Sequence, residues 1–458
     1  MAETIMRTVA RHVWPRSAPL GAMVLGVLVL TACQEREIIL PGKREAITSV
    51  LSTAATNEGV EQTRPVEDGP RDIRLPTQVS NTDAPQNIGT QVFRTVHPKL
   101  AADLAPVWSI SIGQGDSRKH RIVADPVVSA GRVFTLDATT QVSAVSTSGD
   151  LIWQRSVLSD GADENDSTGG GLAADGDVLY VSSGLGAVTA LDAATGAIIW
   201  TQNLNASTSG QPTIYEDLLY VVAGDASGWA INKSDGRVQW QVKVAESGSN
   251  VLGAPAPIVA DKFAVFAFGS GELQAVFRRG GLRRWDASVL GERKGRALSK
   301  IGDVTGQPIE ANGVIFAGNQ SGSTIAVDAN SGRRVWTVSE GSIDNILPVA
   351  GSVFLVSDRN ELLRLSSEDG TRIWGKSLPN FVRDRPTKRA EVFAHHGPIL
   401  AGARVLIASS DGFLRSFDPV TGGLVGTFEI PGGASTAPVV AGQTLYVVSR
   451  KGQLLAYR

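Results

Sequence analysis

The chain has a single cysteine, Cys33, among 458 residues, which excludes a disulfide framework and any intramolecular Cys-x-x-Cys redox or zinc site. Charge of one sign is lacking too. A formal net charge of -2 offers neither a basic surplus for nucleic acid nor an acidic solvating tail, so no nucleic-acid partner is expected. Aromatic residues make up only 6% of the chain, and the apolar run from about Leu20 to Leu30 is too short to read as a stable membrane span. A sustained helical period is missing beyond residue 100, where apolar residues alternate with a period near two, as strands require. Glycine is abundant, with fifty residues, which suits many turns between short strands.

The N-terminus has the order of an export signal. Arg7, Arg11 and Arg16 precede the apolar run, and small residues follow it, with either Met1 or Met6 as the start. The segment "LTAC", Leu30 to Cys33, resembles the lipobox of bacterial lipoproteins, in which the signal is cut before the cysteine and its sulfur and new amino group are acylated. That resemblance implies lipidation of Cys33; the alternative is an uncleaved anchor helix with an incidental cysteine. With Gln34 rather than aspartate following the cysteine, the resemblance also implies an outer-membrane location, lipid-anchored on the periplasmic face. Each buried methylene contributes about 0.8 kcal/mol, so two or more acyl chains hold a soluble domain where one does not. From Gln34 to about Leu100 the chain is polar, with Pro41, Pro65, Pro70, Pro76 and Pro85 scattered through it, and reads as a tether with at most a short helix around Arg44 to Leu51. The apolar "IILPG", Ile38 to Gly42, reads either as a local turn or as a docking point.

Past residue 100 the sequence repeats itself, and the repeat decides the fold. Trp108, Trp153, Trp200, Trp240, Trp285, Trp336 and Trp374 follow one another at intervals of 38 to 51 residues, and Phe428 takes an eighth position. Two hydrophobic strands joined by a glycine turn precede most of them, as in "DVLYVSSGLGAVTALDAATGAIIW". A short strand rich in small residues and proline comes before many of these, as in "GAPAPIVAD". Four strands per repeat predict an all-β fold, an eight-bladed β-propeller of four-stranded antiparallel blades. The last repeat stops after three strands, while Leu104 to Ile112 is an orphan strand. Pairing of the N- and C-terminal strands is therefore expected to complete the eighth blade and close the ring. The organisation expected is a signal peptide over 1–32, a lipidated cysteine and flexible periplasmic tether over 33–100, and the propeller over 101–458. Asp192, Thr195 and Gly196 suit a tight turn, and the tryptophans are expected to dock structurally on neighbouring blades. Burying an indole removes on the order of 200 Å² from water, worth up to roughly 5 kcal/mol before side-chain entropy is subtracted.

The pattern Ala-x-Asp-x-x-Thr-Gly-x-x-x-Trp, complete at Ala190 to Trp200 and repeated at Ala326 to Trp336 with Ser331 for threonine, resembles the tryptophan-docking repeat of pyrroloquinoline-quinone (PQQ) propellers. That family divides into quinoprotein dehydrogenases and non-enzymatic members. Among the latter, the lipobox and residues 104–458 together resemble the BamB family, lipoproteins of the β-barrel assembly machinery. The resemblance implies a non-catalytic scaffold without cofactor or metal. Its implied partners are the barrel subunit BamA, other lipoproteins of the machinery and unfolded outer-membrane proteins. The alternative is a PQQ-dependent quinoprotein dehydrogenase, whose family places the quinone against a disulfide of adjacent cysteines, with a catalytic aspartate and calcium ligands nearby. Against it, Cys33 stands alone. His395 and His396, neighbours on a strand, face opposite ways, and the acidic run Asp160 to Ser167 lacks the order of a calcium loop.

The resemblance also points to two segments that would bind a periplasmic domain of BamA: Ser247 to Pro257, carrying Val251 and Leu252, and Ala297 to Pro308, carrying Ile301 and Asp303. The arginine of the family's first loop is missing before Gly253, and Thr305 replaces the second acid of its second loop. Inner-strand packing for Val251 and Leu252, and turn closure for Asp303, are the alternatives. Arg293, Lys294 and Arg296 gather just upstream, either to reach acidic groups on a partner or as a solvated insertion.

Overall fold

The computed structural model describes residues 69–158, 161, 169–204, 206, 210–224, 226–245, 255–291, 293 and 302–458. Within them the chain forms eight four-stranded antiparallel sheets. Blade 1 runs from an inner strand Val127–Ser129 to an outer strand Leu151–Ser156, blade 2 from Gly170–Asp175 to Ile198–Asn203, and blade 3 from Thr213–Tyr215 to Val238–Lys243. Blade 4 spans Ile258–Val259 to Arg283–Ser288, blade 5 Gly306–Ala311 to Arg334–Val338, blade 6 Ile346–Val349 to Arg372–Ser377, and blade 7 His395–Ala401 to Leu424–Glu429. Blade 8 takes three strands from the C-terminus, Val439–Ala441, Thr444–Ser449 and Gln453–Tyr457, and its outer strand Pro106–Ser111 from the N-terminal side. In that junction Trp108 sits opposite Ala456 and Ile110 opposite Leu454. The eight-bladed propeller is thus closed by pairing of its chain ends.

The core is divided among the gaps between blades. One hydrophobic cluster joins blades 1 and 2 through Leu136, Leu172 and Leu179, another joins blades 5 and 6 through Phe316, Trp336 and Leu363, and each remaining gap holds its own. The cluster of Val128, Val133, Tyr446 and Leu454 fills the gap between blades 8 and 1, so the ring is packed all the way round.

Each of the seven tryptophans of the repeat reaches across a gap. Trp153 Nε1–H donates to the Ala193 carbonyl of the next blade at 3.1 Å, Trp200 to Lys233, Trp240 to Arg278, Trp285 to Ala329, Trp336 to Ser367, and Trp374 to Pro419. Trp108 closes the series onto Thr147 of blade 1 at 3.2 Å. The receiving turn is built for this. The Asp192 carboxylate accepts the Thr195 hydroxyl and backbone N–H, both at 2.7 Å, and these donors hold its pKa below the ordinary value. Gly196 then takes φ +71°, and a Cβ there would lie 2.7 Å from the Trp153 ring, so only glycine lets the indole lie flat on the turn.

Blade 7 departs from the sequence reading in one respect. Register places Gly426, not Phe428, opposite Ser416, where Ala190 faces Trp200 in blade 2. Phe428 lies two residues on, the same side of the strand, and its ring leans back over Gly426, whose Cβ would sit 3.3 Å from it. The phenyl ring packs against the cluster between blades 7 and 8.

The larger departure is the segment 69–100, which the sequence reading leaves in the tether. From the outer strand of blade 6 and a turn of blade 7 it runs inward across the inner strands as an extended strap bonded to every blade. Gly69 N–H donates to Ile373 of blade 6 and Arg71 N–H to Val420 of blade 7. Asn81 exchanges bonds with Val440 and Gly442 of blade 8, and Ala84 pairs with Val128 of blade 1. The Pro85 carbonyl takes Ala174 N–H of blade 2, Gln86 Oε1 takes Ile214 N–H of blade 3, Thr90 Oγ1 takes Val259 N–H of blade 4, and the Gly89 carbonyl takes Glu310 N–H of blade 5. His97 returns the strap to blade 7, its Nε2 accepting from Ala403 N–H at 2.8 Å. The inner strands end their hydrogen-bonding there, and the strap satisfies donors that water would otherwise have to reach.

Beneath the blade 6–7 connection, His395 is buried, its Nε2–H donating to the Pro379 carbonyl at 2.8 Å and its Nδ1 accepting from Ser409 Oγ at 2.7 Å. Burial lowers its pKa to about 4. The unfolded chain therefore binds a proton here first, so stability falls as pH drops from about 6.5 toward 4, by up to roughly 3 kcal/mol. Urea titrations across that range are expected to show a shallower pH slope for His395→Gln than for the unsubstituted protein; an unchanged slope contradicts a neutral buried imidazole.

Candidate functional site

In these blades the turn between first and second strands shares a face with the turn between third and fourth, while inter-blade connections emerge on the other face. The strap bonds Ala130, Gly402, Ala403 and Gly442 at first-to-second turns and so occupies the first face. The two segments implied to bind a partner join blade 3 to blade 4 and blade 4 to blade 5. Their described flanks leave and re-enter the propeller on the face free of the strap.

Val251, Leu252 and Ile301 lie outside the described residues. Asp303 is described, and it is not an exposed anchor: it is 5% exposed, and its neighbour Val304 is buried among the residues packed between blades 4 and 5. Thr305 Oγ1–H donates to the Ser342 carbonyl at 2.9 Å, pinning the segment to the start of blade 6. Asp303 thus belongs to the root of its connection.

Arg293 is paired within the propeller. Its guanidinium grips Asp358 through Nε at 2.8 Å and Nη2 at 3.0 Å, and also meets Glu340 at 3.3 Å, which Arg359 holds from the other side. Burial raises the Glu340 pKa against the pull of both arginines. This network ties the blade 4–5 connection to blades 5 and 6. Sequence reasoning missed it because its members lie 47 and 65 residues apart from Arg293. Lys294 and Arg296, like the acidic run apart from Gly161, fall outside the described residues.

Between strap and inner strands lies a cavity of about 90 Å³, lined by Asn81, Asn87 and Arg94 from the strap and by Asp125, Gln211, Gln307 and Asn345 from the blades. Asp125 accepts Ala437 N–H at 2.9 Å; burial, and next the nearby Asp344, raise its pKa. His396 turns to Asp344, with Nδ1 3.1 Å from Oδ2, while His395 points into the blade, so the two histidines do not converge. Small-molecule sites usually enclose about 300–1,000 Å³. A space of this size suits a few waters, and with the strap across it and no second cysteine in the chain, the central cavity does not fit the quinone.

The family model described as outer membrane protein assembly factor BamB matches residues 138–376 and 384–458. The chain is 24% identical over 370 residues to the assembly factor BamB of Yersinia pestis, covering 79% of this chain and 91% of that one. To the BamB of Escherichia coli it is 29% identical over 354 residues, covering 75% and 86%. Its fold is similar to the crystal structure of BamB from Moraxella catarrhalis, with a TM-score of 0.65 at 19% identity, over 78% of this chain and all (100%) of that one. A europium-containing methanol dehydrogenase shares the fold at a TM-score of 0.57 and 12% identity, over 79% of this chain and 96% of that one. The sequence relatives named here are assembly factors; the dehydrogenase likeness is one of fold.

Proposed function

Because the chain belongs to the BamB family of outer membrane protein assembly factors, we propose that it is a non-catalytic scaffold of the β-barrel assembly machinery that binds the barrel subunit BamA and assists folding and insertion of outer-membrane proteins. The binding surface is the strap-free face, through Val251 and Leu252 in the blade 3–4 connection and Ile301 in the blade 4–5 connection, with Asp303 holding the root of the second. The observation that carries this reading is the asymmetry of the propeller. One face is covered by the chain's own strap, whereas the other presents the inter-blade connections, one of them fastened by Arg293 to Asp358. The other lipoproteins of the machinery complete the assembly. Titration of the full chain with the periplasmic part of the barrel subunit tests the reading: saturable one-to-one binding supports it, and no binding refutes it.

Cys33 anchors the scaffold through its acyl chains to the periplasmic leaflet of the outer membrane. Cys33→Ala is expected to move the protein from the membrane to the soluble fraction in cells lacking the barrel subunit's binding domain. A variant that still sediments with membranes there contradicts the lipid anchor.

A further inference from the structure

The family match stops at residue 376 and resumes at 384, and the interruption falls where blade 6 passes to blade 7. In the structure this connection rises as a two-stranded arm. Phe381 pairs antiparallel with Val392, Val382 N–H donates to Glu391 at 3.0 Å and Phe393 N–H to Asn380 at 2.8 Å. Its base is fixed by His395 on Pro379 and by Asn360 Nδ2–H on the Phe393 carbonyl at 3.2 Å. At its tip Arg389 bonds Asp384 at 2.8 Å and lies 4.9 Å over the Phe381 ring.

Residues 382–392 are all exposed. The arm therefore adds no core packing, and ordering it costs backbone entropy that its few internal bonds barely offset. Such a projection makes sense if it meets a partner. Among the described residues the side chains of Arg383, Arg385 and Lys388 meet no carboxylate, since Asp384 is taken by Arg389. Val382 and Val392, 40% and 52% exposed, flank these cations. Guanidinium groups beside apolar side chains are the composition of protein interfaces, and arginine suits carboxylates through paired hydrogen bonds. A membrane-binding cluster needs about four to eight basic residues. Here Arg389 is paired and Glu391 offsets another charge, which favours a protein.

We propose that the arm is a second docking element that engages an acidic surface of the partner held on the strap-free face. This rests on the scaffold reading, and the arm, being an inter-blade connection, stands on that face. The test uses the full chain, titrated with the periplasmic part of the barrel subunit at low and high salt. Arg383→Glu, Arg385→Glu and Lys388→Glu together are expected to weaken binding about tenfold at low salt and to flatten its salt dependence, with unfolding unchanged. Replacing the two arginines and keeping charge, Arg383→Lys with Arg385→Lys, is expected to give an affinity between those of the unsubstituted chain and the triple variant, because the charge remains while the paired hydrogen bonds are lost. Equal affinity of the triple variant overturns the arm while leaving the scaffold reading intact. Charge-dependent binding to phosphatidylglycerol vesicles without an effect on the barrel subunit overturns it in favour of a bilayer. Failure of the unsubstituted chain to bind the barrel subunit removes both.

Discussion

A chain that begins at residue 113, without the strand Pro106–Ser111, is expected to lose the cooperative unfolding of the intact propeller. That strand completes blade 8 along the register from Pro106 opposite Tyr457 to Ser111 opposite Gln453. Its Trp108 packs 5.9 Å from Tyr446 and donates across the gap to Thr147 of blade 1. Backbone bonds contribute about 1 kcal/mol each and an indole a few more. The loss is then on the order of 5 kcal/mol, comparable to the whole stability of many domains. A chain beginning at residue 101 keeps the closure but gives up the strap, and with it the acceptors that main-chain donors of several blades bond to. Its urea midpoint is expected to fall between that of the shorter chain and that of a chain beginning at 69, which should match the full protein. Equal midpoints for chains beginning at 69 and 113 would contradict both the closure and the strap.

The closure and the strap are unequally visible in the amino-acid order. Blade closure was legible because the orphan strand and the three-stranded last repeat carry period-two alternation and a shared tryptophan signal. The strap was not, because it pairs with a different blade every few residues. Its bonds through Asn81, Gln86, Thr90 and His97 need no apolar period, and its prolines read as linker. In blade 7 an aromatic at nearly the right spacing hid a two-residue shift, since Gly426 carries no signal of its own. The site was legible only as chain segments. That Asp303 is buried and Arg293 spent on Asp358 depends on contacts between neighbouring blades whose residues lie far apart along the chain, which local spacing does not encode.

Leu252→Glu is expected to weaken binding of the barrel subunit strongly while changing unfolding stability by no more than about 0.5 kcal/mol, the usual effect of a surface substitution. An apolar anchor at an interface centre is worth about 2 kcal/mol or more, and a buried unpaired carboxylate adds a desolvation cost. Affinity should thus fall by at least roughly thirtyfold. Val251→Glu and Ile301→Glu are expected to follow in the same direction. Asp303→Arg behaves differently: at 5% exposure it places a guanidinium in a buried site, so stability should fall along with binding. Normal affinity in a well-folded Leu252→Glu variant removes the blade 3–4 connection from the interface. A lowered midpoint in that variant assigns Leu252 to packing, and Ile301→Glu then carries the test.

The central claim is that this propeller acts by holding a partner. Its most direct test is isolation of the full, lipidated chain from detergent-solubilised outer membranes, with mass spectrometry of what accompanies it and an absorbance scan for bound quinone. The account predicts the barrel subunit in a fixed ratio and no quinone. A preparation free of the barrel subunit, or one carrying a stoichiometric quinone, contradicts it.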